Sequence, residues 1–140
     1  MSRPRSHLRR VGPVACWSLV VVVASVVSPP GSGPAEATPT ALPTLLGVGV
    51  DKWVHLGAYA TTAFLGADAL RARDTASVAL AAVAATALGG GVELVQASIP
   101  ARSFSVADAV ANAVGAALGA GAYSAFGGVE GVLGSEAGDD

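Results

Sequence analysis

Charged residues are scarce in this chain of 140 residues. Asp, Glu, Lys and Arg together make up 13% of it, whereas they make up about 25% of ordinary soluble domains. Hydrophobic residues account for 52%, and the mean hydropathy of the chain is positive. So little charge in a chain of this length argues against a soluble domain and favours a membrane protein.

Cysteine is scarcer still, and the sequence has no basic cluster beside aromatic residues. Cys16 is the one cysteine, which excludes a disulfide framework or a cysteine-based metal site within one chain. We expect Cys16 to be a small buried hydrophobic residue. The formal net charge of −2 and the lack of a basic stripe exclude the signature of nucleic-acid binding, so we expect no nucleic-acid partner.

Apolar stretches without a permanent charge recur at about the length of a bilayer crossing. A hydrocarbon core about 30 Å thick needs roughly 20 helical residues. The sequence therefore predicts an all-α fold, a polytopic membrane protein with four transmembrane helices in an antiparallel bundle. The four uncharged stretches are residues 11–27, 53–67, 75–92 and 109–129.

Composition divides the chain into five segments. The stretch after the first apolar run is rich in Pro, Gly, Ser and Thr, which is typical of a loop. Turn signals place three core helices at about 50–70, 75–96 and 106–126, with Ser105 as the cap of the last helix and Asp108 completing a capping box. The segments are a disordered basic leader in the cytoplasm (1–10), the first transmembrane helix (11–27), an extracytoplasmic loop (28–49), a three-helix core (50–126) and an acidic flexible tail (127–140).

The first apolar run has a second interpretation. A basic segment precedes it, as in a cleaved secretory signal peptide. Its length favours a retained helix, as do Pro29 and Pro30, which follow it in place of a small-x-small cleavage site. On the sequence, both interpretations stay open.

The placement of Lys and Arg predicts the orientation in the membrane. Cytoplasmic loops carry an excess of these residues. The sequence has eight Lys and Arg residues. If the chain crosses the membrane four times, Lys52 and Arg102 fall on one side, and the other six fall on the opposite side. We therefore expect a protein of the cell membrane with both termini in the cytoplasm. The six are Arg3, Arg5, Arg9, Arg10, Arg71 and Arg73.

Small residues are abundant in the three core helices. Gly115 and Gly119 form a small-xxx-small pair, and such pairs let membrane helices approach each other closely. We therefore assign both glycines to helix packing.

The few polar residues of the core gather in short clusters beside the apolar stretches. If the four helices cross the membrane in alternating directions, all of these clusters lie at the same, outer end of the bundle. An ionisable side chain within a membrane is costly and is a functional candidate by default. The sequence therefore predicts one outward-facing polar pocket. Its residues are Asp51, Lys52, His55, Tyr59, Glu93, Gln96, Arg102, Ser103, Asp108 and Asn112.

The spacing of these residues resembles that of the VanZ-like family, which is named after a teicoplanin-resistance protein. The resemblance spans residues 51–119 and rests on four linked motifs. It implies a small four-helix integral membrane protein, in a family whose biochemical role is undefined for most members. The motifs are Asp51-Lys52-x-x-His55-x-x-x-Tyr59, Glu93-x-x-Gln96, Arg102-Ser103 and Asp108-x-x-x-Asn112-x-x-Gly115.

Several of these residues also have a structural interpretation. Lys52 and Arg102 suit the anchoring of helix ends among lipid headgroups. Gln96 and Asn112 suit hydrogen bonds between helices. A buried carboxylate in a membrane needs a partner, so we expect Glu93 to pair with Arg102 or Lys52.

His55 has three interpretations on the sequence. It suits an interfacial hydrogen bond, a proton carrier or general base beside Asp51 or Glu93, or a metal ligand together with the nearby carboxylates. The last is the weakest, because one histidine with carboxylates lacks the ligand density of a zinc site. We therefore expect neither a metal nor another cofactor.

Two classes of function follow from the pocket. The expected one is binding of an anionic lipid headgroup or cell-envelope precursor, with Lys52 and Arg102 contacting phosphate. The alternative is a membrane-embedded hydrolase acting on a phosphate-containing lipid, with His55, Glu93 and Asp108 as catalytic candidates. A proton-coupled transport component ranks last, because the helix cores hold few polar residues. Membrane lipids are the expected partners, and the sequence does not set the oligomeric state.

Overall fold

Four helices dominate the fold. The computed structural model describes residues 4–27, 44–99 and 104–136, with side chains described for 10–27, 44–99 and 104–126. The helices are α1 (Pro4–Val26), α2 (Val50–Leu70), α3 (Thr75–Ala97) and α4 (Val106–Glu136), and a short hairpin of β1 (Thr44–Leu45) and β2 (Val48–Gly49) precedes α2. The predicted all-α class is confirmed.

The three core helices begin at the residues that the sequence predicts. Asp74 caps α3, because its carboxylate accepts a hydrogen bond of 2.8 Å from the backbone N–H of Ser77. Ser105 caps α4, because its hydroxyl accepts a hydrogen bond of 3.2 Å from the backbone N–H of Asp108. Such caps satisfy N–H groups that the first turn of a helix leaves without partners.

Two helix ends differ from the prediction. α1 begins at Pro4, so the segment expected to be a disordered leader is already helical, and proline is well suited to a first helical position. α4 continues to Glu136, through most of the segment expected to be a flexible tail. No proline interrupts that segment, and each glycine in it costs about 1 kcal/mol relative to alanine, which is too little to end a helix.

The last six residues of the predicted loop over 28–49 form the hairpin before α2, which the sequence did not predict. Its turn residues Leu46 and Gly47 have positive φ angles of 55° and 77°, as the tight turns of hairpins require. Trp53 fixes the hairpin to α2 by donating a hydrogen bond of 3.1 Å from Nε1 to the carbonyl oxygen of Leu45. The rest of that loop, residues 28–43, lies outside the described residues.

The backbones of α2 and α4 pack directly against each other. A Cβ atom added to Gly115 would overlap the carbonyl oxygen of Leu56, and one added to Gly119 would overlap the carbonyl oxygen of Ala60. From the first contact to the second, the residue number rises by four in both helices, so α2 and α4 run parallel. The structure thus places both predicted packing glycines at the α2–α4 contact.

α3 runs antiparallel to α2. Gly89, late in α3, lies against Tyr59, whereas Ala81, early in α3, lies against Gly66 further along α2. The N-terminal ends of α2 and α4 therefore meet the C-terminal end of α3.

α1 lies against α2 and α3. Trp17 Nε1 donates a hydrogen bond of 3.1 Å to the carbonyl oxygen of Ala58, and Gln96 Nε2 donates one of 2.8 Å to the carbonyl oxygen of Ser25. The C-terminal end of α1 therefore joins the same end of the bundle, and the four helices alternate in direction.

The interior of the bundle is built from alanine, and the large apolar side chains face outward. Buried alanines form two clusters, while Leu80, Val83 and Leu94 are 58–69% exposed. Cys16, which we expected to be buried, is also exposed. Soluble proteins bury most of their large apolar side chains, so this described surface is unusual for one. The alanines are Ala63, Ala85, Ala116 and Ala120 in one cluster, and Ala67, Ala72 and Ala81 in the other.

Among the described residues, two helices are long and apolar enough to cross a membrane. They are Thr75–Ala97 of α3 and Val106–Phe126 of α4, whereas the apolar part of α1, Arg10–Val26, falls short of the same length. The buried core helix of a soluble protein satisfies the same criterion. The two helices therefore indicate a membrane protein without fixing the number of crossings.

Candidate functional site

Most of the predicted pocket residues converge at one end of the bundle. They come from the first three turns of α2, the last two turns of α3 and the first two turns of α4. We call them the polar cluster. Arg102 and Ser103, also predicted for the pocket, lie outside the described residues. The members of the polar cluster are Asp51, Lys52, His55, Tyr59, Glu93, Gln96, Asp108 and Asn112.

Lys52 links two carboxylates from different helices. Its Nζ lies 2.5 Å from Asp51 Oδ2 and 2.5 Å from Asp108 Oδ1. The contact with Asp108, together with the hydrogen bond that Lys52 donates to Asp51, raises the pKa of Lys52, and the same hydrogen bond from Lys52 lowers the pKa of Asp51. Since the Lys52 side chain is 26% exposed, solvent screens part of this attraction.

His55 bonds to an amide rather than to a carboxylate. Its Nδ1 lies 3.0 Å from Asn112 Oδ1. An amide oxygen can only accept a hydrogen bond, so Nδ1 carries the proton in this pair. The other ring nitrogen, Nε2, then keeps its lone pair when the ring is neutral.

Glu93 is fully buried, at 0% exposure. Its Oε2 accepts a hydrogen bond of 3.1 Å from the backbone N–H of Ser105, a role that the predicted capping box gave to Asp108. The predicted ion pair with Lys52 is not formed, because both aspartates already hold that ammonium group. Within the described part of the chain, Glu93 Oε1 has no hydrogen-bond partner.

Three further buried polar atoms make no hydrogen bond within the described residues, and one of them, Asp108 Oδ1, has the Lys52 ammonium as its ion-pair partner. Tyr59 Oη and Asn112 Nδ2 make no hydrogen bond there, and both residues are 1% exposed. Each buried polar atom left without a partner costs about 1–3 kcal/mol, so this group of atoms is suited to receiving a ligand, an ion or water.

Gly89 belongs to this site, although the sequence analysis did not assign it there. A Cβ atom at this position would lie 2.9 Å from Asn112 Nδ2 and 3.0 Å from Tyr59 Cε1, so a side chain would displace both. The signal in the sequence is the position of Gly89, one turn before Glu93 on the same helix face.

Three potential ligand groups from three helices meet within the polar cluster. A ring nitrogen of His55 and one carboxylate oxygen each from Glu93 and Asp108 lie within 4.8 Å of one another. An imidazole and two carboxylates at this spacing can share a proton or hold a cation.

An apolar groove reaches the polar cluster from the side of α1. Its volume is about 270 Å³, and α1 contributes Trp17, Val20, Val21, Ala24 and Ser25 to its wall. The opposite wall holds Val54 and Ala58 together with three polar-cluster residues, His55, Tyr59 and Gln96. We call it the α1 groove. No sequence motif predicts this groove, because the groove depends on how α1 packs against the other helices.

The described part of this end of the bundle is negative. Asp51, Glu93 and Asp108 face one ammonium group, that of Lys52, which leaves two negative charges uncompensated. We expected Lys52 to contact a phosphate group, but its ammonium is already engaged by two carboxylates. An anionic ligand would therefore have to compete for Lys52 or use other donors.

Comparisons with protein families, with curated proteins and with solved structures give no match. The resemblance to the VanZ-like family therefore rests on the sequence motifs alone. The function has to be argued from the geometry of the site.

Proposed function

We propose that this chain is an integral membrane protein of the VanZ-like type that binds a phosphate-bearing amphiphile of the cell envelope. The head group of the ligand occupies the polar cluster, and its apolar chain follows the α1 groove. The observation that carries this proposal is the groove itself, whose wall is apolar along α1 and includes three polar-cluster residues. Such a mixed lining suits a molecule with a polar head and an apolar chain.

The outward-facing apolar side chains support a bundle that crosses the membrane four times. α2 and α3 contain 21 and 23 residues, and helices of that length span roughly 30–35 Å, enough for the hydrocarbon core. The apolar part of α1, Arg10–Val26, is at the lower end of the length that a crossing helix needs, about 17 residues. The crossing part of α2 is the uncharged stretch 53–67, so Asp51 and Lys52 lie at its outer end. An interior of alanine and glycine allows the close helix contacts that membrane bundles use.

The basic residues support an orientation with the polar cluster outside the cell. Arg71 and Arg73 lie in the turn between α2 and α3, at the opposite end of the bundle from the polar cluster. Arg10 lies towards that same end on α1. Because basic residues favour the cytoplasmic side, both termini are cytoplasmic in this proposal, and the polar cluster faces the envelope.

The unpartnered donors of the site support a phosphate head group. Tyr59 Oη and Asn112 Nδ2 are donor groups without a partner within the described residues, and Tyr59 lines the α1 groove. Phosphate oxygens accept several hydrogen bonds, and they form charge-assisted ones with ammonium groups. Lys52 would supply such a bond after exchanging one of its two carboxylate partners.

The experiment is a binding measurement on the purified full-length protein in detergent with EDTA present. Native mass spectrometry compares a polyprenyl phosphate with the uncharged polyprenol of the same chain length. We expect the phosphate to bind, and Ala24→Phe, which fills the α1 groove, to weaken binding at least about tenfold. Ala15→Phe is the matched control, because Ala15 is exposed on α1 and lies outside the groove.

Two results would contradict the proposal. One is equal binding of the phosphate and the uncharged polyprenol, which would remove the role of the polar cluster. The other is an equal effect of Ala24→Phe and Ala15→Phe, which would remove the role of the groove.

A second candidate function is hydrolysis of the phosphoester in such a ligand. The observation in its favour is the position of the His55 ring, which lies close to Glu93 and Asp108 and can use Nε2 as a general base when Nδ1 donates to Asn112 Oδ1. Release of inorganic phosphate in a parallel incubation without EDTA, lost in His55→Gln while binding is kept, would identify the enzyme. Binding without release identifies a binding protein.

A further inference from the structure

We propose that His55, Glu93 and Asp108 form a binding site for a divalent transition-metal ion. This inference adds a cofactor to the proposed function. Only the role of the ion in binding a ligand rests on that proposed function. The site itself is argued from the geometry, burial and charge of the described residues.

The geometry is close to that of a metal site. The three ligand atoms, one from each of α2, α3 and α4, lie within 4.8 Å of one another. Ligand atoms bound at about 2.1 Å to a tetrahedral ion are roughly 3.4 Å apart. The spacing is therefore at most about 1.4 Å wider than in an occupied tetrahedral site, and the side chains would have to close that difference around the ion.

The burial of Glu93 points independently to a bound cation. The side chain is 0% exposed, and its Oε1 has no hydrogen-bond partner within the described residues. An ionised carboxylate with an unpartnered oxygen is among the most costly groups to bury. A cation at Oε1 would remove that cost, while Oε2 keeps its bond to the backbone N–H of Ser105.

The local charge favours a cation. Among the described groups at this end of the bundle, the formal negative charges of Asp51, Glu93 and Asp108 outnumber the one positive charge of Lys52 by two. Arg102, which stands in the sequence between α3 and α4 and lies outside the described residues, adds one positive charge to this count, so the formal charge stays negative without a bound cation. Lys52 repels an incoming cation, but it is also held by Asp51 at 2.5 Å, so it can stay bound there while Asp108 turns to the metal.

Asn112 prepares His55 for the role of ligand. Metal-bound histidines usually donate the N–H of their second ring nitrogen to an oxygen, which fixes the tautomer and the direction of the ring. Asn112 Oδ1 lies 3.0 Å from His55 Nδ1 and serves as that oxygen. Nε2 is then the nitrogen that binds the ion.

The donor set selects the class of ion. Magnesium and calcium prefer sites made wholly of oxygen atoms, whereas imidazole suits zinc and carboxylate suits manganese. The site has fewer histidines than the usual zinc site, which is why the sequence alone predicted no metal, and it is the convergence of the three side chains that favours one. Three protein ligands leave at least one position for water or for a phosphate oxygen. A bound ion would in this way add one contact to an anionic amphiphile, which the α1 groove and the donors of the polar cluster also bind in the absence of the ion.

The test measures metal binding without any lipid. The full-length protein, purified in detergent with a tag that contains no histidine, is titrated with Co²⁺, whose visible absorption reports nitrogen and oxygen ligands in place of Zn²⁺. We expect one equivalent to bind, with affinity reduced at least about tenfold in His55→Gln and in Glu93→Gln. His7→Gln, at the one other histidine, and Asp68→Asn, at an exposed carboxylate near the other end of α2, are the matched controls and should bind Co²⁺ as the unchanged protein does.

Circular dichroism shows whether each variant keeps its helices. If Glu93→Gln does not fold, the Co²⁺ affinity of His55→Gln alone decides the test. Equal Co²⁺ binding by His55→Gln and the unchanged protein, or no binding by the unchanged protein, would overturn the metal site. Because the polyprenyl phosphate measurement contains EDTA, failure of the metal site and failure of amphiphile binding are seen separately.

Discussion

Lys52 joins α2 to α4 through two carboxylates, each 2.5 Å away. The folded pKa of Lys52 is raised, so its contribution to stability is complete below the unfolded pKa of about 10.4 and is lost as pH rises through the folded value. The folded pKa of Asp51 is lowered, so its contribution is complete above the unfolded pKa of about 3.9 and is lost as pH falls through the folded value. The ion pairs therefore stabilise the bundle between these limits.

We expect Lys52→Met to lower the free energy of unfolding by about 1 kcal/mol near neutral pH, since partly exposed ion pairs contribute little more than that. The loss should fade as the pH is lowered and the carboxylates become protonated. Unfolding of the detergent-solubilised protein, followed by circular dichroism at several pH values, measures it. Arg73→Met, in the exposed turn between α2 and α3, is the control, and a loss that does not depend on pH would contradict this account of Lys52.

The sequence predicts which residues lie in the polar cluster, but it does not predict which of their side chains pair with each other. The spacing of ionisable residues beside apolar stretches predicts Glu93 and Asp108 as site residues. Which carboxylate takes Lys52 depends on the relative rotation of α2, α3 and α4, which no local motif encodes. Asp108 therefore pairs with Lys52, and Glu93 accepts the N–H of Ser105. The sequence had predicted a pair of Glu93 with Arg102 or Lys52, and of these two Arg102 lies outside the described residues.

At the scale of the helices, the contact between α2 and α4 depends on two glycines. A Cβ atom at Gly119 would overlap the carbonyl oxygen of Ala60, whereas one at Gly121, half a turn away, would meet no atom within 4 Å. The same substitution should therefore have opposite effects at the two positions.

We expect Gly119→Ala to lower the free energy of unfolding by about 1–3 kcal/mol, because the backbones must move apart. Gly121→Ala should raise it by up to about 1 kcal/mol, because alanine favours the helix. Thermal unfolding of both variants in the same detergent measures the difference. Equal effects at the two positions would show that α2 and α4 do not pack as described.

The predictability of the helices follows from their local signals. Ser105 and Asp74 are capping residues at the start of apolar runs, so the starts of α3 and α4 could be predicted. The hairpin over residues 44–49 could not, because Leu46 is not a residue that sequence rules place at positive φ. The true end of α4 was missed because its glycines suggested a loop, although glycine alone does not end a helix.

At the scale of the whole molecule, small residues form the interior and large apolar residues form the surface. Alanine fills both core clusters, while Leu94 and Phe126 are 69% and 65% exposed. The sequence predicts apolar helices, but only their packing shows which apolar residues face outward. This arrangement is stable where lipid covers the surface, and it supports our proposal of a membrane bundle.

The central claim is that the polar cluster lies at the outer end of a bundle that spans the membrane, and cysteine labelling tests it most directly. Cys16, which is exposed, is first replaced by alanine. Single cysteines are then introduced as Ser98→Cys at the polar-cluster end and Arg73→Cys at the opposite end, both at exposed positions. Intact cells are treated with a maleimide that cannot cross the membrane. The account predicts that Ser98→Cys is labelled in intact cells and that Arg73→Cys is labelled after the membrane is opened. Labelling of both in intact cells, or of Arg73→Cys alone, would contradict it.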